Sequence, residues 1–269
     1  MVSLFRSLLL AMPVSGLLLD GAAEAQASNQ KQLVEIATRE FLPPYVEQRA
    51  GGGIEIDIVK AILRDSAYEP VFIQQPRVRM ISAFESKVLD GILTQNIAAS
   101  NEGCATDWYI SHQNVAITVE DKDMQITGLP DLKGLSVLSF SGATRYLGQE
   151  FANAIKDTER YTESGDQGKH ISLLYKNRFD VIVGDSWILS LAQKRFFTQT
   201  GQYKAIHKHP IMAPSLYVAR FHDQAICDAF NLGLRSLRAS GEYADIWDGY
   251  EKQLMIAIDG KSGARHETQ

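Results

Sequence analysis

Spaced by its apolar positions, the chain reads as a short apolar leader, two runs of alternating strand and helix patterns, and a helical C-terminal stretch. Residues 33–38 (LVEIAT) alternate and are β-branched, which predicts a first strand. Residues 39–53 hold Pro43-Pro44-Tyr45 and Gly51-Gly52-Gly53. Proline fixes φ and glycine permits unusual φ, so this is a shaped loop. Residues 54–66 place Ile54, Ile58 and Ile62 on one helical stripe. A second strand at 70–74, a helix at 77–88 with Met80, Ile81, Phe84 and Val88 inward, and a third strand at 90–94 complete a β-α-β-α-β unit. That order predicts a mostly parallel, right-handed sheet with ligands at the carboxyl ends of its strands. The loops after Thr38 and Thr94 are therefore where a site is expected.

The pattern then restarts. Residues 114–120 (NVAITVE) form a strand, followed by a charged stretch with Gly and Pro up to Gly134. Residues 135–140 are a strand, and Ser141-Gly142-Ala143-Thr144 is a tight loop that opens a helix. Residues 171–176 end another helix, and 179–183 are a strand that finishes in Gly184-Asp185. Residues 216–220 are a strand, and the remainder is helical to about residue 254. Lys87-Val88-Leu89-Asp90-Gly91-Ile92-Leu93 and Asn177-Arg178-Phe179-Asp180-Val181-Ile182-Val183 share one plan. Each ends a helix with a basic residue near its C-terminus, which suits the dipole, and leads into an aliphatic strand through Asp. Two similar half-domains facing one another across a cleft are the simplest arrangement. The polar tail, 259–269, is expected to be flexible.

Residues 1–27 read as a cleaved secretory signal, with Arg6 as a short basic region and an apolar run at 7–19. Ala23-Glu24-Ala25 and Ala25-Gln26-Ala27 are small-x-small sites, so cleavage is expected after Ala25 or Ala27. The apolar run has 13 residues, short of a membrane span. The first cysteine is Cys104, so no lipid-anchoring Cys lies near the cleavage sites and the mature protein is expected to be soluble in the periplasm. A formal net charge of −5 with scattered bases gives no nucleic-acid footprint. Cys104 and Cys227 permit a disulfide in an exported chain, and two free buried thiols are the alternative.

Several motifs, in order, carry a resemblance. They are Phe41-Leu42-Pro43-Pro44-Tyr45, the Gly53-x-Glu55-Ile56-Asp57-Ile58 helix start, Leu89-Asp90-Gly91-Ile92, and Leu129-Pro130-Asp131-Leu132-Lys133-Gly134. Ser141-Gly142-Ala143-Thr144, Phe179-Asp180-Val181-Ile182-Val183-Gly184-Asp185 and Ser240-Gly241-Glu242-Tyr243 follow. Over residues 32–252 the chain resembles the bacterial extracellular solute-binding proteins of family 3, the periplasmic amino-acid receptors of ABC importers. The resemblance implies a type II periplasmic-binding fold of two α/β lobes joined by a two-strand hinge. Lobe 1 would be 28–117 plus 214–258 and lobe 2 would be 118–213, with hinge strands near 116–119 and 214–218. It further implies a small polar ligand, a membrane permease as partner, a monomer, and no cofactor.

Asp185 lies at the end of a predicted strand and opens the next helix. It is either an N-cap or, as the resemblance implies, the carboxylate that receives a ligand ammonium. Thr144 and Arg145 open the helix after Ser141, where free N–H groups would receive a carboxylate; simple capping is the alternative. Tyr45 would wall the cleft as the resemblance implies, or be exposed or half-packed, and Glu40 and Arg39, which border its loop, could read a polar side chain of the ligand. Family members usually carry a carboxylate-binding Arg some eight residues after the third strand, but here that position is Glu102. A carboxylate repels a carboxylate, so another Arg must supply the charge or the ligand lacks an α-carboxylate. Arg77 and Arg79 are candidates because a guanidinium clamps a carboxylate in two places; a solvated helix face is the alternative. Gln95 and Asn96 would add hydrogen bonds beneath the ligand.

The rival reading is an enzyme on the same scaffold, since the family's relatives include a periplasmic dehydratase, with Glu102 as a general acid. No nucleophile elbow, HExxH or dinucleotide-binding glycine loop is present. His207-x-His209 is weak metal spacing without neighbouring carboxylates, and no metal site is expected. A third reading is a receptor that signals to a partner instead of feeding a permease.

Overall fold

The computed structural model describes residues 30–97 and 102–255, with two short paired segments at 257–258 and 261–262. The expected signal lies outside these residues, as does the expected tail apart from 261–262. No helix among the described residues is long and apolar enough to cross a membrane.

The first half builds the elements its periodicity predicts, β1 (Gln32–Arg39), α1 (Ile54–Leu63), β2 (Tyr68–Gln75), α2 (Arg77–Glu85) and β3 (Gly91–Asn96), but α2 ends at Glu85, so Val88, expected inward, lies past it and is exposed. Short strands β4 (Cys104–Ala105) and β5 (Ile110–His112) follow, and β6 (Asn114–Val119) leaves for a second sheet. There the chain continues through β7 (Ser136–Phe140), α3 (Ala143–Tyr146), α4 (Gly148–Ala154), β8 (Arg160–Ser164) and α5 (His170–Tyr175). It closes that sheet with β9 (Val181–Asp185), α6 (Ser186–Thr200) and β10 (Ile206–His209). Finally β11 (Ser215–Phe221), α7 (Gln224–Ala239) and α8 (Glu242–Leu254) return to the first sheet.

Sheet 1 runs β2-β1-β3-β11-β4, with β5 also on β11, and sheet 2 runs β10-β6-β9-β7-β8. In each, the first three strands of the unit pair in parallel and a hinge strand adds antiparallel. The chain crosses between sheets twice, at Gln113 and again between His209 and Ser215. All of β6 belongs to sheet 2, so the first crossing falls a few residues before the 116–119 stretch that the resemblance suggested. Gln113 pins the crossings together, its Nε2 donating to Met212 O at 2.9 Å.

Each sheet has its own apolar core. Around sheet 1, α1, α7 and α8 cover one face through Ile58, Ile62, Phe230 and Leu234, and α2 covers the other through Met80 and Phe84. Helix α7 approaches α1 closely because a Cβ at Gly233 would lie 2.0 Å from Ile62 O. Around sheet 2, Ile171, Ile182 and Leu189 fill one face, and Phe151, Val137 and Val183 the other. This is a two-lobe α/β architecture.

The internal echo is reproduced atom for atom. Lys87 and Asn177 both take positive φ (56° and 54°) at the helix ends. Val88 N then bonds Ala83 O and Arg178 N bonds Leu173 O, the same 6→1 closure. The Asp that follows caps the neighbouring first strand in both lobes. Asp90 Oδ2 accepts from Glu35 N at 2.7 Å, and Asp180 Oδ2 accepts from Ser136 N at 3.1 Å.

Of the two states left open for the cysteines, the structure shows the bonded one: Cys104 of β4 is joined to Cys227 of α7.

Candidate functional site

A cavity of about 200 Å³ opens where the carboxyl ends of the two sheets' parallel strands meet. Sheet 1 and its hinge strands bring Arg39 from the end of β1, Arg77 from the start of α2, Thr94 from β3, His112 from β5, and Tyr217 from β11. Sheet 2 brings Ser141 after β7, Tyr146 from α3, Gln167 after β8, and Asp185 from β9. No metal-binding cluster occurs among the described residues.

The loop after Arg39 is held by the side chains of Gln74 and, at Gly53 N, Tyr250. Gln74 Nε2 donates to Glu40 O at 2.6 Å and Glu47 O at 2.9 Å, while Leu42 and Val46 bridge around a cis Pro43-Pro44 bond. Gly53 closes the loop with φ 115°, where a Cβ would sit 2.3 Å from Tyr45 O. The result drives Tyr45 fully inside. Its ring stacks on His112 at 4.0 Å, and His112 meets Tyr217 edge-on at 4.8 Å. Burial, with the Arg39 charge added, lowers the His112 pKa to about 3, so the imidazole is neutral at any physiological pH. Its Nε2 has no hydrogen-bond partner among the described residues.

From the other lobe, Asp185 does two things. Its Oδ1 accepts from Trp187 N at 2.9 Å and Ile188 N at 3.0 Å, capping α6, and its Oδ2 accepts from Tyr45 Oη at 2.9 Å across the cleft. Each carboxylate oxygen has about two acceptor positions, so Oδ2 keeps one for the cavity. Burial raises the Asp185 carboxyl to about 6, against the lowering pull of these bonds and of Lys208. Lys208 is itself lowered to about 8 by burial.

No family model matches the chain. Over 235 residues it is 24% identical to an L-arginine-binding protein of Pseudomonas aeruginosa, an alignment spanning 81% of this chain and 87% of that one. A solved substrate-binding protein of an amino-acid ABC transporter superposes with TM-score 0.56 at 18% identity, over 82% of this chain and 100% of the other. A histidine kinase sensor domain with similarity to periplasmic binding proteins superposes with TM-score 0.58 at 19% identity, over 82% and 97%. The chain has the periplasmic binding-protein fold.

Set in this binding-protein fold, the residues singled out from sequence separate sharply. Asp185 and Arg77 line the interlobe cavity, as does Arg39, which the sequence named with Glu40 as a reader of a polar ligand side chain. Tyr45 lies behind the cavity and not on its wall, because its hydroxyl is held by Asp185 and its ring by His112. Thr144 is engaged elsewhere: its N–H and its hydroxyl both donate to Glu163 Oε1 at 3.0 Å, and Gly142 N donates to Glu163 Oε2 at 2.7 Å. Tyr161 Oη adds a bond to the same carboxylate at 2.9 Å. Against the opposing effect of burial, the bonds from Thr144 and Gly142 hold the Glu163 carboxyl below its ordinary value. At Gly142 and Thr144, the anion-receiving groups foreseen in the 141–144 loop are therefore taken by the protein's own carboxylate.

Arg145 is exposed, lies over the Tyr146 ring at 4.6 Å and donates to the Tyr146 hydroxyl. Arg79, Glu102 and Glu40 are exposed and do not line the cavity. Gln95 is buried, and its amide donates to Leu93 O at 2.8 Å. Beneath Thr94, whose φ is +55°, lies a polar cluster that sequence missed. Thr94 Oγ1 donates to Glu55 Oε1 at 2.7 Å and Tyr109 Oη donates to the same oxygen, while Tyr109 Oη also accepts from Thr94 N at 3.1 Å. The positive φ at Thr94 redirects the strand end toward the cleft, and the three-way bond fixes it.

The cross-lobe bond is testable on its own. Tyr45→Phe removes a buried donor from an ionised acceptor, so we expect it to lower unfolding free energy by roughly 1.5–3 kcal/mol at pH 7.5. Urea denaturation at pH 4, where Asp185 is protonated, should show a smaller loss. Equal losses at both pH values would remove the ionised carboxylate from the account.

Proposed function

We propose that this chain is an exported solute-binding protein that captures a small polar ligand, an amino acid or related compound, between its lobes for an ABC-type importer. The observation that carries this reading is the cavity itself: two arginines from one lobe and a carboxylate from the other converge on a space of about 200 Å³. A ligand that touches both walls stabilises the closed arrangement over an open one by that differential contact. The fold, the curated relative named for L-arginine and the ABC-transporter neighbour support capture for import. The apolar leader and the Cys104–Cys227 bond fit an oxidising compartment outside the cytoplasm. The chain acts as a monomer with a membrane permease as its partner, and it binds its solute without converting it.

The sensor-domain neighbour favours one alternative, a receptor whose closed form signals to a membrane partner. Two measurements test the proposal. Mass spectrometry of protein purified from its own host and then denatured should release one small polar solute per chain. Adding that solute back to stripped protein should raise the melting temperature, because a ligand that binds only the native state stabilises it. Release of no solute, with no thermal shift across a broad library, would refute capture. Loss of uptake in a strain lacking the protein supports import, whereas intact uptake with an altered transcriptional response supports signalling.

A further inference from the structure

Charge on the cavity wall goes further than the word polar. Lobe 1 presents two guanidiniums, Arg39 and Arg77, and neither has an ion-pair partner among the described residues. Both are half-buried; for Arg39, burial first and the Arg77 charge second pull it below its ordinary value. Arg77 has only the Tyr146 face of the other lobe, at 5.6 Å. Unpaired guanidiniums held away from water are costly, and repelling neighbours raise that cost. Among the described residues, the acid whose charge acts on Arg39 is Glu55, whose carboxyl is already bonded to Thr94 and Tyr109 and is pushed toward its neutral form by burial.

Three further facts narrow the ligand. His112 is neutral and contributes no charge. Asp185 is the one acid lining the cavity among the described residues, and three protein donors leave it a single acceptor position. In the 141–144 loop of lobe 2, the N–H groups of Gly142 and Thr144 are taken by Glu163, so those two donors are not open to a ligand acid.

Resting on the solute-binding reading above, we infer that the ligand is a small dicarboxylate, its two acid groups bound on lobe 1 by Arg39 and Arg77. Its remaining donor, an ammonium or a hydroxyl, faces the open position on Asp185 Oδ2. His112 Nε2, buried and unpartnered on the same wall, supplies a further hydrogen bond. A basic side chain would lie against two guanidiniums, with the single open position on Asp185 as the one carboxylate acceptor lining the cavity among the described residues, so this site differs in charge from one suited to arginine.

The test is calorimetric titration of solute-stripped full-length mature protein with L-glutamate, succinate, L-glutamine and L-arginine. At least one dicarboxylate should bind with one site per chain and about 50-fold or more tighter than L-glutamine and L-arginine, as loss of one charge-assisted bidentate contact implies. Glutamate above succinate identifies the donor facing Asp185 as an ammonium, and near-equality makes that donor dispensable; both keep the dicarboxylate. Arg77→Gln and Arg39→Gln should each weaken it about tenfold or more, while exposed Arg79→Gln changes it less than about twofold. Circular dichroism melts check that each variant is folded, and if Arg39→Gln fails to fold, Arg77→Gln decides. Tight binding of L-glutamine or L-arginine would overturn the dicarboxylate and leave solute capture standing. Silence from both dicarboxylates, or unchanged affinity in Arg77→Gln, would overturn it too.

Discussion

Replacing Cys104 and Cys227 together with Ser is expected to lower unfolding free energy by roughly 2–5 kcal/mol, the largest stability effect foreseen for any pair of positions. The bond joins residues 123 apart in sequence and so closes a long loop of the unfolded chain. In the chain-entropy description, long loops place the loss near the upper end of that range. The tie also has a local meaning. Strand β4 is only two residues long; it pairs with Phe221 and Arg220 of β11, and the bond to Cys227 ties it covalently to α7 as well. Because α7 packs on α1, loss of the tie loosens the lobe that carries both cavity arginines. Guanidinium denaturation of oxidised wild type, reduced wild type and the double variant checks this. A double variant as stable as oxidised wild type would show the bond to be dispensable.

The second large effect is a pH-dependent one at Asp185. Its folded pKa, about 6, lies above the ordinary carboxylate value of 3.8. The unfolded chain therefore ionises first, and the folded state loses stability as pH rises from about 3.8 to about 6. The full difference corresponds to about 3 kcal/mol, and it persists above pH 6. Asp185→Asn removes the charge, and its side-chain carbonyl still accepts from Trp187 N. Ligand-free Asp185→Asn should therefore be more stable than wild type at pH 7.5 by roughly 1–3 kcal/mol, and the advantage should vanish at pH 4. Part of the gain is offset because Lys208 loses a nearby counter-charge while it is protonated below about pH 8. The same change should weaken solute binding about tenfold or more, since a charged acceptor is lost from the cavity. A site that gives up stability for function has this signature. A stability difference independent of pH would contradict the buried, ionised Asp185.

How much of this was legible in the sequence depends on the range of the interaction involved. The β1-α1-β2-α2-β3 unit was legible because its apolar spacing is local, and so was the doubled helix-end motif, which rests on Lys87, Asn177 and the two following Asp residues. Strands β8 (RYTES) and β10 (IHKH) were not, because both lie at the edges of sheet 2 and their mixed polar residues carry no clean alternation. The pairing of the cysteines was also undecided from spacing alone.

In the site, Asp185 and Arg77 could be singled out because each sits where a strand ends or a helix begins. The filling of the 141–144 loop could not be foreseen. Glu163 lies 19 residues from Thr144 on a strand the pattern did not reveal, and only the parallel pairing of β7 with β8 brings them together. Tyr45 shows the same limit. Its place after two prolines suggested a wall over the ligand, but the partners that draw it inward, His112 and Asp185, come from β5 and β9. Arg39 needed the fold as well, since its weight comes from standing beside Arg77 with no ion-pair partner among the described residues.

Small-angle X-ray scattering on stripped protein, before and after addition of the solute that co-purifies with it, tests the central claim most directly. Two lobes gripping a shared solute predict a smaller radius of gyration in the saturated sample, with no change when a non-binding amino acid is added. An identical scattering profile with and without saturating solute would contradict the account.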